Sequence, residues 1–199
     1  RTIFGADKLI SGEIYINDRK VTINKPQDAV KYGLGYLSED RKLLALALSL
    51  DIEANTVLGV FKRFARFGLT NSRKIQIAAQ KQVQGLSIRT PTTKQRVSNL
   101  SGGNQQKFIV GREMSKAPAL LVASHPTRGV DVGAQGAIWD VLRKAREKGM
   151  AIVLISADLE ELIGMSDRLL VMLRGAITAE LDPAKTTPEQ LGSAMTGAA

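Results

Sequence analysis

NLSGGNQQK, residues 99–107, is the first of two segments in this sequence whose residue types could do chemistry. Two consecutive glycines follow a serine, and glycine lets backbone N–H groups approach an anion closely. The helical pattern that comes next would point the positive end of its dipole at that anion. Ser101 adds a hydroxyl donor, and Lys107 lies within the first turns. The segment therefore favours a phosphate site, while an SGG that merely begins a helix is the alternative interpretation.

The second such segment is LLVASHPTRGVD, residues 120–131, which begins as a buried strand and turns through Pro126 and Gly129. The carboxyl end of a strand is a common place for catalysis in α/β proteins. Magnesium bound to a nucleotide usually finds carboxylates there. Here the strand ends on Ser124 and His125. Three interpretations of this segment are therefore open. It is an active site with unusual chemistry, a site that has lost its catalytic residues, or not a site.

Alternating helix and strand patterns surround these two segments. The apolar strands lack polar alternation, which predicts a parallel sheet with helices on both faces. A hairpin is predicted around Asn17 and Asp18, and a polar loop over residues 38–42. Helices are predicted over residues 26–33, 103–114, 133–148 and 158–164 and from Thr187, and strands over residues 34–37, 119–123, 150–155, 168–173 and 176–180.

Residues 43–99 have a different character, because apolar residues recur at helical spacing over residues 52–64 and 72–86. We interpret this stretch as a small helical subdomain inserted into an α/β core. The expected parts are a partial core over residues 1–42, the helical subdomain over 43–99, and the remaining core over 100–199.

Composition narrows the possible functions. The 199 residues include no cysteine and one histidine, His125, which excludes disulfides and any multi-histidine metal site. The longest apolar run, LLALALSL, is far shorter than the ~18 residues that span a bilayer. The net charge of +9 is compatible with nucleic acid, anionic lipid or a phosphate-bearing ligand, or with a solvated basic surface, which we favour.

The segment FKRFARFG, residues 61–68, interleaves basic and aromatic residues, as single-stranded nucleic-acid binders do. However, Phe61, Phe64 and Ala65 have the spacing of one helical face. That spacing favours a packed helix face over nucleic-acid binding.

Several segments in the right order resemble the ATP-binding cassette (ABC) ATPases, over nearly the whole chain. LSGGNQQK is similar to their signature motif, PTRGVDVGA to the segment after their Walker B acid, SEDRK to their Q-loop region and GMSDRLLVM to their late core. The NQQK ending resembles the importers for simple sugars (ribose, galactose or xylose), which carry two cassettes in one polypeptide. The tail DPAKTTPEQLGSAMTG is also similar to nucleoside importers.

The resemblance implies an α/β, P-loop NTPase (RecA-like) cassette core with a parallel sheet and an inserted helical subdomain. The phosphate loop G-x-x-x-x-G-K-[ST] is absent, and RTIFGA resembles the end of the helix that follows it. The resemblance therefore leads us to expect the C-terminal cassette, beginning downstream of the phosphate loop and the first strands.

Four positions depart from the family's hydrolytic residues. The resemblance aligns Glu39 with the Q-loop glutamine, Ser124 with the magnesium-supporting Walker B aspartate, His125 with the glutamate that polarises water, and Ala157 with the switch histidine. Ser124 is a weak neutral substitute for a carboxylate on magnesium. His125 can accept a proton, but no orienting acid is visible at a fixed spacing. We interpret this site as degenerate and His125 as a packed or loop residue.

Other family positions are kept. By resemblance, the signature is intact and forms part of an ATP site shared with a second cassette, and the D-loop aspartate is retained. These residues are Ser101, Gly102, Gly103, Asn104, Gln105 and Asp131. We expect ATP and Mg²⁺ to bind at the composite site, where each signature serves the other cassette.

The expected function is that of an ATP-hydrolysing importer component for simple sugars, peripheral on the cytoplasmic face of the inner membrane. Its partners would be a second cassette, a transmembrane permease reached through the helical subdomain and, indirectly, a sugar-binding protein. We expect little or no ATPase activity from the chain alone. The alternatives are a nucleoside importer, a soluble ABC ATPase acting on nucleic acid or ribosomes, and a regulatory module without nucleotide. The motifs NQQK and TRGVD, which resemble sugar-type importers, disfavour a function on nucleic acid.

Overall fold

The computed structural model describes residues 1–67 and 69–197, and internal contacts divide the chain into two units, Arg1–Val153 and Leu154–Ala199. The helices are α1 (Pro26–Lys31), α2 (Ile52–Val57), α3 (Ser72–Gly85), α4 (Gly102–Met114), α5 (Val132–Glu147), α6 (Leu159–Met165) and α7 (Pro188–Thr196). The strands are β1 (Ile14–Ile16), β2 (Arg19–Val21), β3 (Leu34–Leu37), β4 (Ala65–Arg66), β5 (Leu69–Thr70), β6 (Leu120–Ser124), β7 (Ala151–Ile155), β8 (Leu169–Leu173) and β9 (Ala176–Leu181). The predicted three-part division of the chain stays a prediction.

The predicted parallel pairing is confirmed in the first unit. Strand β3 pairs with β6 in parallel, with Leu34 opposite Leu120 and Leu37 opposite Ala123, and the sheet order is β3-β6-β7. Leucine and valine fill β6, which is buried from Leu121 onward. Because the last residue of β3, Leu37, pairs with Ala123 near the end of β6, the carboxyl ends of the two strands lie side by side. Residues 38–39 and 124–125 therefore meet at one edge of the sheet.

Strand β7 is present as predicted, but it is not buried as an apolar strand without polar alternation would be. Val153 and Ile155 are exposed, and the intervening residues are only partly buried. The sheet order leaves β7 at an edge, and the boundary between the two units falls within it.

The predicted hairpin is confirmed, with β1 antiparallel to β2 around a two-residue turn. Asn17 and Asp18 both adopt positive φ, 50° and 60°. Such a turn matches the twist of the flanking strands, and Asn and Asp tolerate it better than most residues do.

The predicted polar loop over residues 38–42 is only partly correct. A π-helical turn, Arg41–Ala45, begins inside it. The Asp40 carboxylate accepts hydrogen bonds from the N–H groups of Lys42 and Leu43, at 3.1 and 2.9 Å. This capping explains why the chain turns before the apolar run that follows.

The helix predicted over residues 52–64 is too long. Helix α2 ends at Val57, because Leu58 is extended at ψ 127° and Gly59 has φ 78°. A short 3₁₀ turn and the β4–β5 hairpin follow. The interpretation of Phe61, Phe64 and Ala65 as one packed helical face is therefore wrong, and Phe61 is exposed.

Two buried polar side chains organise the stretch around α2. The Asn55 amide accepts from the Ala47 N–H and donates to the Ala47, Leu50 and Asp51 carbonyl groups. The Glu53 carboxylate accepts from the Thr93 hydroxyl and pairs with Lys94, both at 2.7 Å. These side-chain bonds join α2 to the irregular segments before and after it, whose polar backbone groups have no partners in a regular helix or strand.

The second unit, described by itself, pairs β8 with β9 in an antiparallel hairpin around Arg174 and Gly175. Its core contains Leu169, Val171 and Leu191, which brings α7 against β8. None of the helices in residues 1–67 and 69–197 combines the length and the apolar character of a membrane span.

Candidate functional site

The amino end of α4 is built from the predicted phosphate-binding residues. Ser101 is the N-cap, and its oxygen accepts from the backbone and side-chain N–H groups of Asn104, at 3.4 and 3.0 Å. The N–H groups of Gly102 and Gly103 fall in the first turn, where a helix offers them no acceptor. Ser101 is exposed and Gly102 half-buried. This end of α4 thus presents donors and a positive dipole to solvent.

The next two predicted signature residues bond within the chain. The Asn104 side-chain oxygen accepts from the Arg89 N–H at 3.2 Å. Gln105 is buried, and its amide donates to the Val97 carbonyl at 2.9 Å. Gln105 thus anchors the start of α4 to the preceding turn.

Neighbouring side chains lie close to both glycines of the signature. A Cβ on Gly103 would lie 2.8 Å from the Asp131 Oδ2 and 2.9 Å from the Ala134 Cβ. A Cβ on Gly102 would lie 2.8 Å from an Arg41 side-chain nitrogen. The structure therefore brings the predicted D-loop residue Asp131 against the signature. In this chain Asp131 also caps α5 by accepting from the Ala134 N–H at 2.9 Å.

Arg41 and Gln106, which the sequence did not single out, connect these parts. The Arg41 guanidinium donates to the Arg128 and Gly129 carbonyl groups, at 3.3 and 3.4 Å. The buried Gln106 amide donates to the Pro126 carbonyl at 2.8 Å. Arg41 lies in the motif SEDRK and Gln106 in the motif NQQK. The motifs therefore included both residues but did not indicate which contacts they make. Together they hold the turn after β6 against the beginning of α4.

Glu39 and Ser124, both predicted from sequence, come together at the carboxyl ends of β3 and β6. Hydrogen bonding to its own backbone N–H lowers the pKa of the Glu39 carboxyl, burial opposes this, and hydrogen bonds with Tyr36 and Ser124 lower it further. The Tyr36 hydroxyl donates to Glu39 at 3.1 Å. Burial, with the neighbouring Glu39 carboxylate, raises the pKa of Tyr36. An ionised carboxylate thus stands beside Ser124 although β6 itself ends without one.

His125 follows Ser124 at the turn and adopts a φ of 47°. This left-handed conformation is uncommon outside glycine, although histidine is enriched there. Its carbonyl oxygen accepts from the Arg128 N–H at 3.1 Å, which closes the turn, and the residue is half-buried. The backbone of His125 therefore has a structural role, and the interpretation of its side chain as a packed or loop residue stays a prediction.

A magnesium ion, which the resemblance to ABC ATPases implies, does not fit the residues at the end of β6. Ser124 is buried and neutral, and it lies close enough to the Glu39 carboxyl to lower its pKa. The nearby Asp40 carboxylate is used to cap the π-helical turn. Over residues 1–67 and 69–197, no three histidine, aspartate or glutamate side chains are arranged to hold a metal. Glu39 alone is too few ligands for a magnesium site made by this chain.

Ala157, at the predicted switch position, belongs to the second unit. It is exposed on the turn before α6, which Asp158 caps by accepting from the Glu161 N–H at 3.0 Å. A methyl group cannot exchange a proton or donate a hydrogen bond.

Comparisons with known proteins agree on one fold. The chain superimposes on the ATP-binding cassette MJ0796, solved as a post-hydrolysis dimer with ADP and phosphate, with a TM-score of 0.74, 22% identity and coverage of 92% of this chain and 78% of that one. A nucleotide-free cassette from an ABC transporter gives a TM-score of 0.75 at 20% identity, over 98% of this chain and 77% of that one. No protein-family profile matches the chain.

Curated relatives are more similar in sequence. The xylose import ATP-binding protein XylG of Thermoanaerobacter pseudethanolicus is 42% identical over 98% of this chain and 39% of its own length. A Burkholderia cenocepacia protein provisionally named ribose/galactose/methyl galactoside import ATP-binding protein 2 is 45% identical over 96% of this chain and 38% of its own length. The chain thus spans about two fifths of the length of the relatives it matches. The chain therefore has the fold of ABC cassettes, and nearly all of it is similar in sequence to about two fifths of the ATP-binding proteins named for sugar import.

Proposed function

We propose that this chain works in an ABC importer for simple sugars and supplies its signature to an ATP molecule held by a second cassette. One observation carries the proposal. The donor end of α4 keeps Ser101, Gly102 and Gly103, with Ser101 exposed and Gly102 half-buried, whereas Ser124 and His125 stand at the end of β6 instead of two carboxylates. A cassette of this kind can clamp ATP for a partner while hydrolysing poorly at its own strand end.

The clamp would act through this chain's own donors. The Ser101 hydroxyl and the first N–H groups of α4 would bind the γ-phosphate, since a helix amino end favours anions. Bound Mg²⁺ would neutralise phosphate charge, and its ligands would come from the partner cassette. Gly102 and Gly103, which lack side chains, would let the backbone approach the phosphate closely. Side chains at these two positions would also meet Arg41 and Asp131.

Simple sugars are the favoured cargo because the relatives described above are named for xylose and for ribose, galactose and methyl galactoside. The proposed partners are a second cassette in the same polypeptide, a transmembrane permease and, indirectly, a sugar-binding protein. The proposed location is the cytoplasmic face of the membrane, peripheral to the permease.

The test is phosphate release from magnesium ATP by the purified chain, alone and mixed with a cassette that carries a complete phosphate loop. We expect almost no release by the chain alone and clear stimulation in the mixture. Gly102→Asp should reduce that stimulation at least about tenfold, because it sets a negative charge where the γ-phosphate binds.

Gly136→Asp is the matched control, since a side chain at this position in α5 meets nothing within 4 Å. It should leave the stimulation unchanged. Rapid turnover by the chain alone that falls with His125→Ala would contradict the proposal, because it would show a working hydrolytic site at the end of β6.

A further inference from the structure

The positive charge of the chain is concentrated in one stretch. Eleven of the 28 lysine and arginine residues lie in residues 54–112, which contain none of the 19 aspartate and glutamate residues. The seventeen basic residues elsewhere are outnumbered by the acidic ones. The net charge of +9 is therefore a local property of the region around α2, α3 and α4, and not a basic surface spread over the whole chain.

Large apolar side chains are exposed in the same region. Phe61 is 53% exposed, Phe67 91% and Leu69 77%. They alternate with Lys62, Arg63 and Arg66, which are also exposed. We call these six residues the hairpin patch. Three large apolar side chains exposed within nine residues form the kind of surface that marks an interaction site.

The backbone holds the hairpin patch in a defined shape. Strands β4 and β5 place Arg66 opposite Leu69. Phe67, in the turn between them, adopts a φ of 51°, which is an outlier for an aromatic residue. The Arg66 guanidinium lies 5.2 Å from the centre of the Phe67 ring, within cation–π range. Arg63 donates to the Ser115 carbonyl at 3.1 Å, which attaches the base of the patch to the end of α4.

An open surface depression lined by Gly59, Val60, Phe61, Lys62 and Arg63 forms one side of the patch. Its lining combines an exposed ring with two cations and no carboxylate. This combination suits a group that carries a phosphate next to apolar chains.

We propose that the hairpin patch binds the surface of an anionic lipid bilayer. Phe67 and Leu69 enter the interface between head groups and acyl chains, where aromatic and aliphatic side chains are stabilised. Lys62, Arg63 and Arg66 contact head-group phosphates. This contact needs neither ATP nor a partner cassette, so it is independent of the proposed function.

Lipid fits the patch better than nucleic acid does. Bases stack on aromatic rings, but an exposed leucine offers no surface for stacking. The Arg66 guanidinium also lies over one face of the Phe67 ring, which leaves one face and not two for a base. A bilayer interface accommodates both the ring and the leucine and attracts basic side chains by its surface potential.

The experiment is co-sedimentation of the purified chain with vesicles of phosphatidylcholine alone and of phosphatidylcholine and phosphatidylglycerol in equal amounts. We expect binding to the anionic vesicles only, weakening as salt is raised. Lys62→Glu with Arg66→Glu should weaken binding by roughly fivefold or more for each side chain. Phe67→Asn should weaken it about tenfold, and asparagine suits the positive φ, so folding is preserved.

Two matched controls lie outside the patch. Ile10→Asn removes an apolar side chain that is equally exposed, and Lys8→Glu reverses an exposed charge. Both should bind vesicles like the parent chain. The proposal is overturned if the controls lose as much binding as the patch variants, or if neutral vesicles bind equally well. It is also overturned if a single-stranded RNA oligonucleotide, and no vesicle, binds through the patch.

Discussion

Gly103 lies directly against the carboxylate of Asp131, so that the first turn of α4 and the cap of α5 share one contact. A Cβ at position 103 would come within 2.8 Å of Oδ2. The same carboxylate accepts from the Ala134 N–H at 2.9 Å. The beginnings of two helices are therefore positioned by one glycine and one aspartate.

Gly103→Ala should destabilise the chain through this contact. The added methyl group would also lie 2.9 Å from the Ala134 Cβ, and both neighbours are held by α5. Overpacking of this kind costs about 1–3 kcal/mol, which urea unfolding would measure. Gly136→Ala, within α5 and facing open space, should instead keep or raise the stability by up to about 1 kcal/mol. Equal stability of the two variants would show that the contact can relax.

Gln106→Leu should loosen the turn after β6. The Pro126 carbonyl would lose the donor that now lies 2.8 Å away, and Gln106 is buried. A buried carbonyl left without a donor costs about 1–3 kcal/mol. Proton–deuterium exchange at residues 127–131 should accelerate in this variant. Gln80→Leu, on the exposed face of α3, is the control and should leave that exchange unchanged.

Ser124→Asp, which restores the family carboxylate, should destabilise the chain while Glu39 is present. Two carboxylates would then share the end of β3 and β6, and like charges disfavour joint ionisation. Glu39→Gln should partly rescue Ser124→Asp. We expect a coupling of about 0.5–1 kcal/mol, because Glu39 is exposed enough for solvent to screen it.

Urea unfolding of the parent, both single variants and the double variant would measure that coupling. Strictly additive effects would show that Glu39 and Ser124 do not interact, and the interpretation of their contact would then be wrong.

Stability should fall in acid partly because of Glu53. Burial alone would raise the pKa of this carboxyl, but hydrogen bonds from Lys94 and Thr93 lower it below its ordinary value. A lowered pKa stabilises the folded chain above the unfolded value of about 4.3, and this stabilisation is lost as the pH falls through the folded pKa. Glu53→Gln should cost about 1–2 kcal/mol at neutral pH, a modest value because the Lys94 side chain is 66% exposed.

The difference in stability between the parent chain and Glu53→Gln should shrink steadily below about pH 5. Unfolding curves recorded from neutral to acid pH would show it. Exposed Glu147→Gln is the control and should give a small difference. If the difference in stability between the parent chain and Glu53→Gln grew toward acid pH, folding would raise the pKa of Glu53 and not lower it.

Residues that act through their immediate neighbours in the chain could be predicted from sequence. The Asn17–Asp18 turn, the beginning of α1 at Pro26 and the bounds of β3 follow from local backbone preferences, and the structure confirms them. The SGG segment likewise predicted the helix that begins at Gly102. The helical spacing of Phe61, Phe64 and Ala65 misled because Leu58 and Gly59 end the helix before it reaches them.

By itself, the amino-acid sequence determined which residue types stand at the strand ends and at the start of α4, and through its motifs the family they resemble. Only the tertiary structure decided that Glu39 meets Ser124, that Gln106 reaches Pro126 and that Gly103 admits Asp131. The physical reason is that each pair is far apart in the chain. Such contacts depend on the parallel register of β3 and β6 and on the packing of α4 against α5, and neither is encoded in a local pattern.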